Sequence, residues 1–383
     1  MKNIYLDNAG TTPMAPEVVE TMTQMMTEVF GNASAANSFG RKARGVLERS
    51  RQIFADSLNA KNANEIIFTS GGTESDNTAI IQTARKRKNQ GRHLITTAIE
   101  HEAVLKPMEY LEENGYEVTY LPVDKNGVIS LTDLKNALRP DTILVSIMAG
   151  NNEVGSHMPL TQIGEIVAKS NAWFHTDAVQ AYGIVDIDVQ RDQIDLLSTS
   201  AHKLNGPKQM GFLYEREGLE LGSHLMGGDQ ELKRRAGTEN IPAIAGFAKA
   251  VELERAERET LQKRYQGFKQ QLCDALAQND VSFEVNGKMG ADELPQIINI
   301  WFKGCQNDAM LTNLDLAGFA AAAGSACTAG SLEPSHVLKA MYGDNERVVQ
   351  SLRFSFGKYN TADEIAQLAT QLAKISQRIK KNN

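Results

Sequence analysis

Short apolar runs recur through the first half of the chain, at residues 65–68, 94–97, 118–121, 143–147, 173–174 and 194–197. The stretches between them carry apolar residues at helical spacing, as in Val46, Leu47, Ile53, Phe54 and Leu58. This alternation predicts an α/β fold with a mostly parallel sheet and helices on both faces. Such sheets bind ligands at the carboxyl ends of their strands.

At the N-terminus, residues 4–7 read as a short strand closed by Asn8-Ala9-Gly10, and Pro13 and Pro16 open a helix to about Phe30. Residues 31–40 are small and polar, as in a loop, and a helix spans 41–58. The strand at 65–68 passes through Ser70-Gly71-Gly72-Thr73-Glu74-Ser75 into a helix after Asp76. Beyond residue 240 the composition shifts. A helix to about 280 has a charged middle at 252–264, strands follow at 284–285 and 297–302, Arg353 lies in a strand-like run, and a last helix covers 361–380. The boundary to a second domain is expected near the 240–280 helix.

The 383 residues are 42% hydrophobic and 23% charged, as in an ordinary globular protein, and the net charge of −7 argues against a generally basic nucleic-acid surface. No apolar run approaches the roughly 18 residues that span a bilayer, and the N-terminus carries no cleavable apolar region. A cytoplasmic protein is expected, with no membrane and no direct nucleic-acid partner. Three cysteines give neither a disulfide framework nor a metal-type pair, so no metal is expected. Cys273 has the apolar neighbours of a core thiol. Cys305 sits in a turn without an assigned role. Cys327 lies among Gly324, Ser325, Ala326, Thr328, Ala329 and Gly330, which suits a flexible loop.

The candidate chemistry gathers behind the apolar runs. Ser200, His202 and Lys203 follow one of them; the first two can bind an anion, and an amine there can form a Schiff base with an aldehyde cofactor. Asp177 ends another run and can pair with a pyridinium nitrogen, while the Gly71-Gly72-Thr73 turn opens a helix, a natural phosphate site. His101, Asn152 and Gln180 follow other runs, and Arg234, Arg235 and Thr238 offer anion contacts. Each residue alone also fits a bland role: a solvated lysine, a turn aspartate, a helix-capping histidine, an asparagine holding a turn, an exposed basic loop.

Taken together, YLDNAGTT, SGGTESDN, EHEAV, NNEVG, HTDAVQ, SAHKLNGPK, GTEN, GSACTAGSLEPSHVL and RFSFGKY follow one another along the chain. In these motifs, over essentially its whole length, the chain resembles the cysteine desulfurases of the NifS/IscS-like group, class V aminotransferases of pyridoxal-phosphate fold type I. The resemblance implies a large cofactor-binding domain, 13–250, and a small α+β domain made of 1–12 and 251–383. It implies pyridoxal 5'-phosphate held as a Schiff base by Lys203, which later shuttles protons. Asp177 would keep the ring nitrogen protonated, His101 would stack on the ring and Gln180 would bond its phenolic oxygen. Gly72, Thr73, Ser200 and His202 would hold the phosphate, with Thr238 reaching across from the second subunit of a homodimer. Asn152 and Arg353 would bind the substrate. Cys327 would take sulfur from L-cysteine as a persulfide, leaving L-alanine, and pass it to an acceptor for iron–sulfur cluster assembly or tRNA thiolation.

The sequence departs from the family at GNASAAN, where GNPSSxH is usual, and at Leu232-Lys233, where Arg-Gly is usual. It also stops soon after its last helix, which favours a tRNA-thiolation or other dedicated acceptor. The alternatives are a lyase for selenocysteine or cysteine sulfinate, which the cysteine in GSACTAGS argues against, and a catalytically silent sulfur-relay partner, which the occupied motif positions argue against.

Overall fold

The computed structural model describes residues 3–290, 292–324 and 334–382; Cys327 lies outside them. The chain starts with β1 (Ile4–Tyr5), α1 (Pro16–Glu28) and α2 (Ser38–Leu58), the last capped by the Asn37 side chain, which accepts from the Gly40 amide. Then come β2 (Ile66–Thr69), α3 (Gly72–Arg87), β3 (His93–Thr97), α4 (Glu102–Glu113), β4 (Glu117–Leu121), α5 (Leu131–Ala137), β5 (Thr142–Ser146), α6 (Leu160–Val167), β6 (Trp173–Asp177), β7 (Leu196–Ser198) and β8 (Gly211–Glu215).

These strands form a seven-stranded sheet in the order β2-β8-β7-β6-β5-β3-β4. Neighbours from β7 to β4 run parallel, and β8 lies antiparallel between β7 and β2. Strands β3, β5 and β6 are buried along almost their whole length, which is why they read as continuous apolar runs. Strand β8 is absent from the sequence reading. It returns antiparallel to β7 without a crossover helix, so the alternating rhythm does not announce it. Helix α3 starts at Gly72, five residues earlier than expected, because Gly71 at φ +142° turns the chain directly out of β2.

Helix α7 (Ile241–Gln278) is a single 38-residue helix. Ile244, Phe247 and Val251 belong to the core of the large sheet, whereas Leu261, Phe268, Leu272 and Leu276 belong to a second core. That second core is completed by β9 (Phe283–Asn286), β10 (Ile297–Phe302), α8 (Asn307–Leu316) and β11 (Phe319–Ala320); after α9 (His336–Tyr342), it also takes in β12 (Ser351–Ser355) and α10 (Ala362–Asn382). The sheet β12-β10-β9 is antiparallel, and β1 pairs parallel with β11, so Ile4 and Leu6 join this core as well.

One cysteine differs from expectation. Cys273 is only half-buried, because the buried stripe of α7 runs through Phe268, Lys269, Leu272 and Leu276 and passes it by; Cys305, in its turn after Phe302, is fully buried. Among the described residues no helix is long and apolar enough to cross a membrane, and no group of three His, Cys, Asp or Glu side chains could hold a metal ion.

Candidate active site

A cavity of about 780 Å³ opens at the carboxyl ends of the parallel strands. Gly72, Thr73, His101, Asn152, Asp177, Gln180, Ser200, His202, Lys203 and Arg353 all line it. The sheet brings them together because each follows or ends a strand, or, for Arg353, sits on β12 where the smaller sheet abuts the larger one.

The start of α3 forms one wall. A Cβ on Gly72 would lie 2.6 Å from a Val179 methyl, so only glycine lets the helix N-terminus come this close to the loop after β6. The first amides of a helix lack intrahelical partners and carry the positive end of its dipole, which suits an anion. Ser200 and His202 stand opposite, on the turn after β7. The His202 Nδ1 is 3.0 Å from the Thr11 hydroxyl, and burial together with Lys203 and Lys208 pushes this histidine down to about 4, so its ring is neutral at neutral pH.

Lys203 follows on the same short turn. Its Nζ donates to the carbonyls of Ala9 and Gly10 at 2.6 and 2.8 Å. Asp177 ends β6 and is buried. One of its oxygens accepts from the Val179 amide at 2.8 Å; burial raises its pKa, and His101 and Lys203 oppose that shift. His101 caps α4, with Nδ1 accepting from the Ala103 amide at 3.1 Å, so its neutral ring carries the proton on Nε2. Gln180 donates to the Ala9 carbonyl at 2.9 Å.

Arg353 is 1% exposed. It donates to the Asn152 carbonyl at 2.9 Å and to Asp7 at 2.6 Å, while its Nε has no hydrogen-bond partner among the described residues. A buried guanidinium with an unpartnered Nε can pair with a carboxylate. Asp7 is a residue the sequence reading missed. It lies 346 positions from Arg353, and no local pattern signals the pair.

Two expected residues stand apart. Thr238 is exposed and does not line the cavity of its own chain. Cys327 lies outside the described residues, but the chain on either side of it is tied to the cavity. Ala322 exchanges backbone hydrogen bonds with Arg353, and the Ser335 hydroxyl donates to Glu153, next to Asn152, at 2.5 Å.

A family model for class-V aminotransferases matches residues 4–368. The chain is 50% identical over 380 residues to a putative cysteine desulfurase IscS 1 of Bacillus subtilis, covering 99% of this chain and 100% of the relative. It is 45% identical to cysteine desulfurase IscS of Methanosarcina thermophila, covering 99% and 93%. Among solved structures, a NifS-like protein superposes with a TM-score of 0.91 at 34% identity, covering 98% and 100%. SspA in complex with cysteine superposes at 0.81 and 36% identity, covering 94% and 100%.

Proposed function

The chain belongs to the class-V aminotransferase family, and from that premise we propose that it is a cysteine desulfurase that removes sulfur from free L-cysteine, with pyridoxal 5'-phosphate in its cavity, and releases L-alanine. The observation that carries this reading is the convergence of Lys203, Asp177, the open start of α3 and the buried Arg353 on one cavity. The donor set fits the cofactor. It offers an amine for an aldehyde, a helix N-terminus with a hydroxyl and a neutral histidine for a phosphate, and a buried carboxylate that a pyridinium would partner.

When bound, pyridoxal phosphate supplies an aldehyde that captures an amine and an electron-poor ring that accommodates the electron pair of a broken bond. Lys203 would hold the aldehyde carbon and would serve as the base that moves the substrate α-proton. Asp177 would hold the ring nitrogen, Gly72, Thr73, Ser200 and His202 would hold the phosphate, Gln180 would bond the ring oxygen and His101 would stack on the ring. Arg353 receives the substrate carboxylate at its open Nε edge, while its bonds to Asp7 and the Asn152 carbonyl fix the guanidinium plane.

Cys327 is the sulfur acceptor. It is three positions from Gly324, a reach of about 10 Å at most. Its thiolate attacks the substrate sulfur; an S–S bond forms as the C–S bond breaks, and the carbon keeps the electron pair and gains a proton. Thr238, on the exposed loop after Gly237, serves the phosphate site of a second copy in a homodimer. In the cytoplasm the persulfide passes to the thiol of a partner, an iron–sulfur scaffold or a tRNA-thiolation enzyme.

The test is alanine release from L-cysteine by the cofactor-loaded protein. Without a thiol reductant, alanine should form once per active site; with reductant it should turn over. Cys327→Ala should abolish both and leave the cofactor absorbance in place. No alanine under either condition from a protein that binds the cofactor would refute the reading.

A further inference from the structure

A second carboxyl shares the cavity floor with Asp177. Asp76 lies in the first turns of α3, is 1% exposed and lines the same cavity. Its Oδ1 has no hydrogen-bond partner among the described residues. The groups that face it are Asp177 at the end of β6, Glu100 in the loop after β3, His175 on β6 and Ser198 on β7. None of them is a cation at neutral pH. The His175 Nε2 is 3.5 Å from Asp76, but burial pushes this histidine down to about 3, so the ring is neutral. Burial, Asp177 and Glu100 all hold the Asp76 carboxyl well above the usual range, and only the Ser198 hydroxyl pulls the other way.

Asp177 is placed differently. It has the Val179 amide, and both Lys203 and His101 favour its charged form. Two buried carboxylates that repel each other, with the Lys203 ammonium placed to favour only one of them, do not both ionise; one keeps its proton, and the asymmetry of partners decides which. We propose that Asp76 is a positioning residue that stays the neutral acid, so that the cavity floor presents a single negative charge, on Asp177, to the ring nitrogen of the cofactor.

Neither ring nitrogen of His175 is left over for Asp76: the Nε2 is 3.0 Å from the Ser198 hydroxyl and the Nδ1 is 2.8 Å from the Ser146 hydroxyl. The inference rests on the reading of the cavity as a pyridoxal-phosphate site.

The test compares wild type, Asp76→Asn, Asp177→Asn and Glu100→Gln as cofactor-loaded proteins. Infrared spectra at neutral pH should show the carbonyl stretch of a protonated carboxylic acid in wild type and Glu100→Gln that Asp76→Asn lacks. Asn mimics the neutral acid, so Asp76→Asn should hold pyridoxal phosphate within about threefold of wild type at neutral pH, whereas Asp177→Asn should lose about 100-fold or more. On raising the pH, the cofactor absorbance of wild type should pass through a step that Asp76→Asn does not show. Loss of cofactor affinity in Asp76→Asn by more than about tenfold, identical pH titrations, or an unchanged infrared band would each overturn the proposal. A wild-type protein that takes up no pyridoxal phosphate would instead remove the reading beneath it.

Discussion

Replacing Glu100 by Gln should make stability less dependent on pH, with a sign that reverses between acid and alkaline conditions. Glu100 is fully buried. One oxygen accepts from the Thr97 hydroxyl at 2.7 Å and the Met148 amide at 3.0 Å; the other has no partner among the described residues. Burial pushes the carboxyl up to about 8, from an ordinary 4.5. The folded state therefore binds this proton more tightly than the unfolded state. The stability it contributes is complete below pH 4.5, falls by about 1.4 kcal/mol per pH unit as pH rises towards 8, and levels off above that. Gln keeps the oxygen that takes both donors and never ionises, but it places an amide where the second oxygen has no partner, at a fixed cost of about 1–3 kcal/mol. The variant should thus be the less stable protein at pH 5. Between pH 5 and pH 8 it should gain about 3–4 kcal/mol relative to wild type, enough to become the more stable one. Urea unfolding of both proteins at pH 5, 6, 7 and 8 measures this difference, from which titrating groups other than Asp76 and Asp177, which interact with Glu100, cancel. A difference that stays flat across the four buffers would refute the argument that Glu100 is folded as the neutral acid.

Three further outcomes follow from single contacts. Arg353→Lys removes a planar fork that spans Asp7, the Asn152 carbonyl and an open Nε; KM for L-cysteine should rise about 10–100-fold with the cofactor absorbance unchanged, and an unaltered KM would exclude Arg353 as the carboxylate receptor. Glu231→Gln leaves Arg51 buried without the carboxylate that meets it at 2.7 and 2.8 Å and also accepts from the Phe68 amide; a loss of about 3–5 kcal/mol is expected in urea unfolding, towards the lower end because half-exposed Glu48 stands 3.4 Å from the same guanidinium. Lys233→Gly, at φ +68°, should stabilise by about 1 kcal/mol by the same assay, and destabilisation would mean that the turn is held by the lysine side chain.

Most of the site was legible because a doubly covered parallel sheet writes itself into sequence twice. Its strands are short apolar runs, and its chemistry comes directly after them. His101, Asn152, Asp177 and Lys203 were found by that rule alone, and the motif resemblance named their partners. Features that depend on meetings across the fold were not legible. Asp7 reaches Arg353 only because β1 pairs with β11 and Ala322 bridges to β12. Asp76 was read as the residue before a helix; with α3 beginning at Gly72 it becomes a buried member of the cavity floor. The departure at Leu232-Lys233 also acquires a physical meaning. Glu231, Leu232 and Lys233 all take left-handed backbone, at φ +48°, +56° and +68°, where the family's usual glycine would be unstrained. The Glu231–Arg51 pair, buried against β2, is what holds that turn in place.

The residues after β1 tie the two halves of the active site together. The carbonyls of Ala9 and Gly10 hold Lys203, Thr11 meets His202, and Thr12 bonds the His202 carbonyl, all at the end of the large sheet. Asp7 meets Arg353, and Asn8 bonds the Ser355 carbonyl and Asn360, all on the side of the smaller sheet. Six consecutive residues therefore touch both the amine proposed to carry the cofactor and the guanidinium proposed to receive the substrate carboxylate. Asp7 is two residues from Ala9, whose carbonyl restrains Lys203. The strap is short and hydrogen-bonded at both ends, so it fixes the two groups relative to one another although they lie 150 positions apart in the chain.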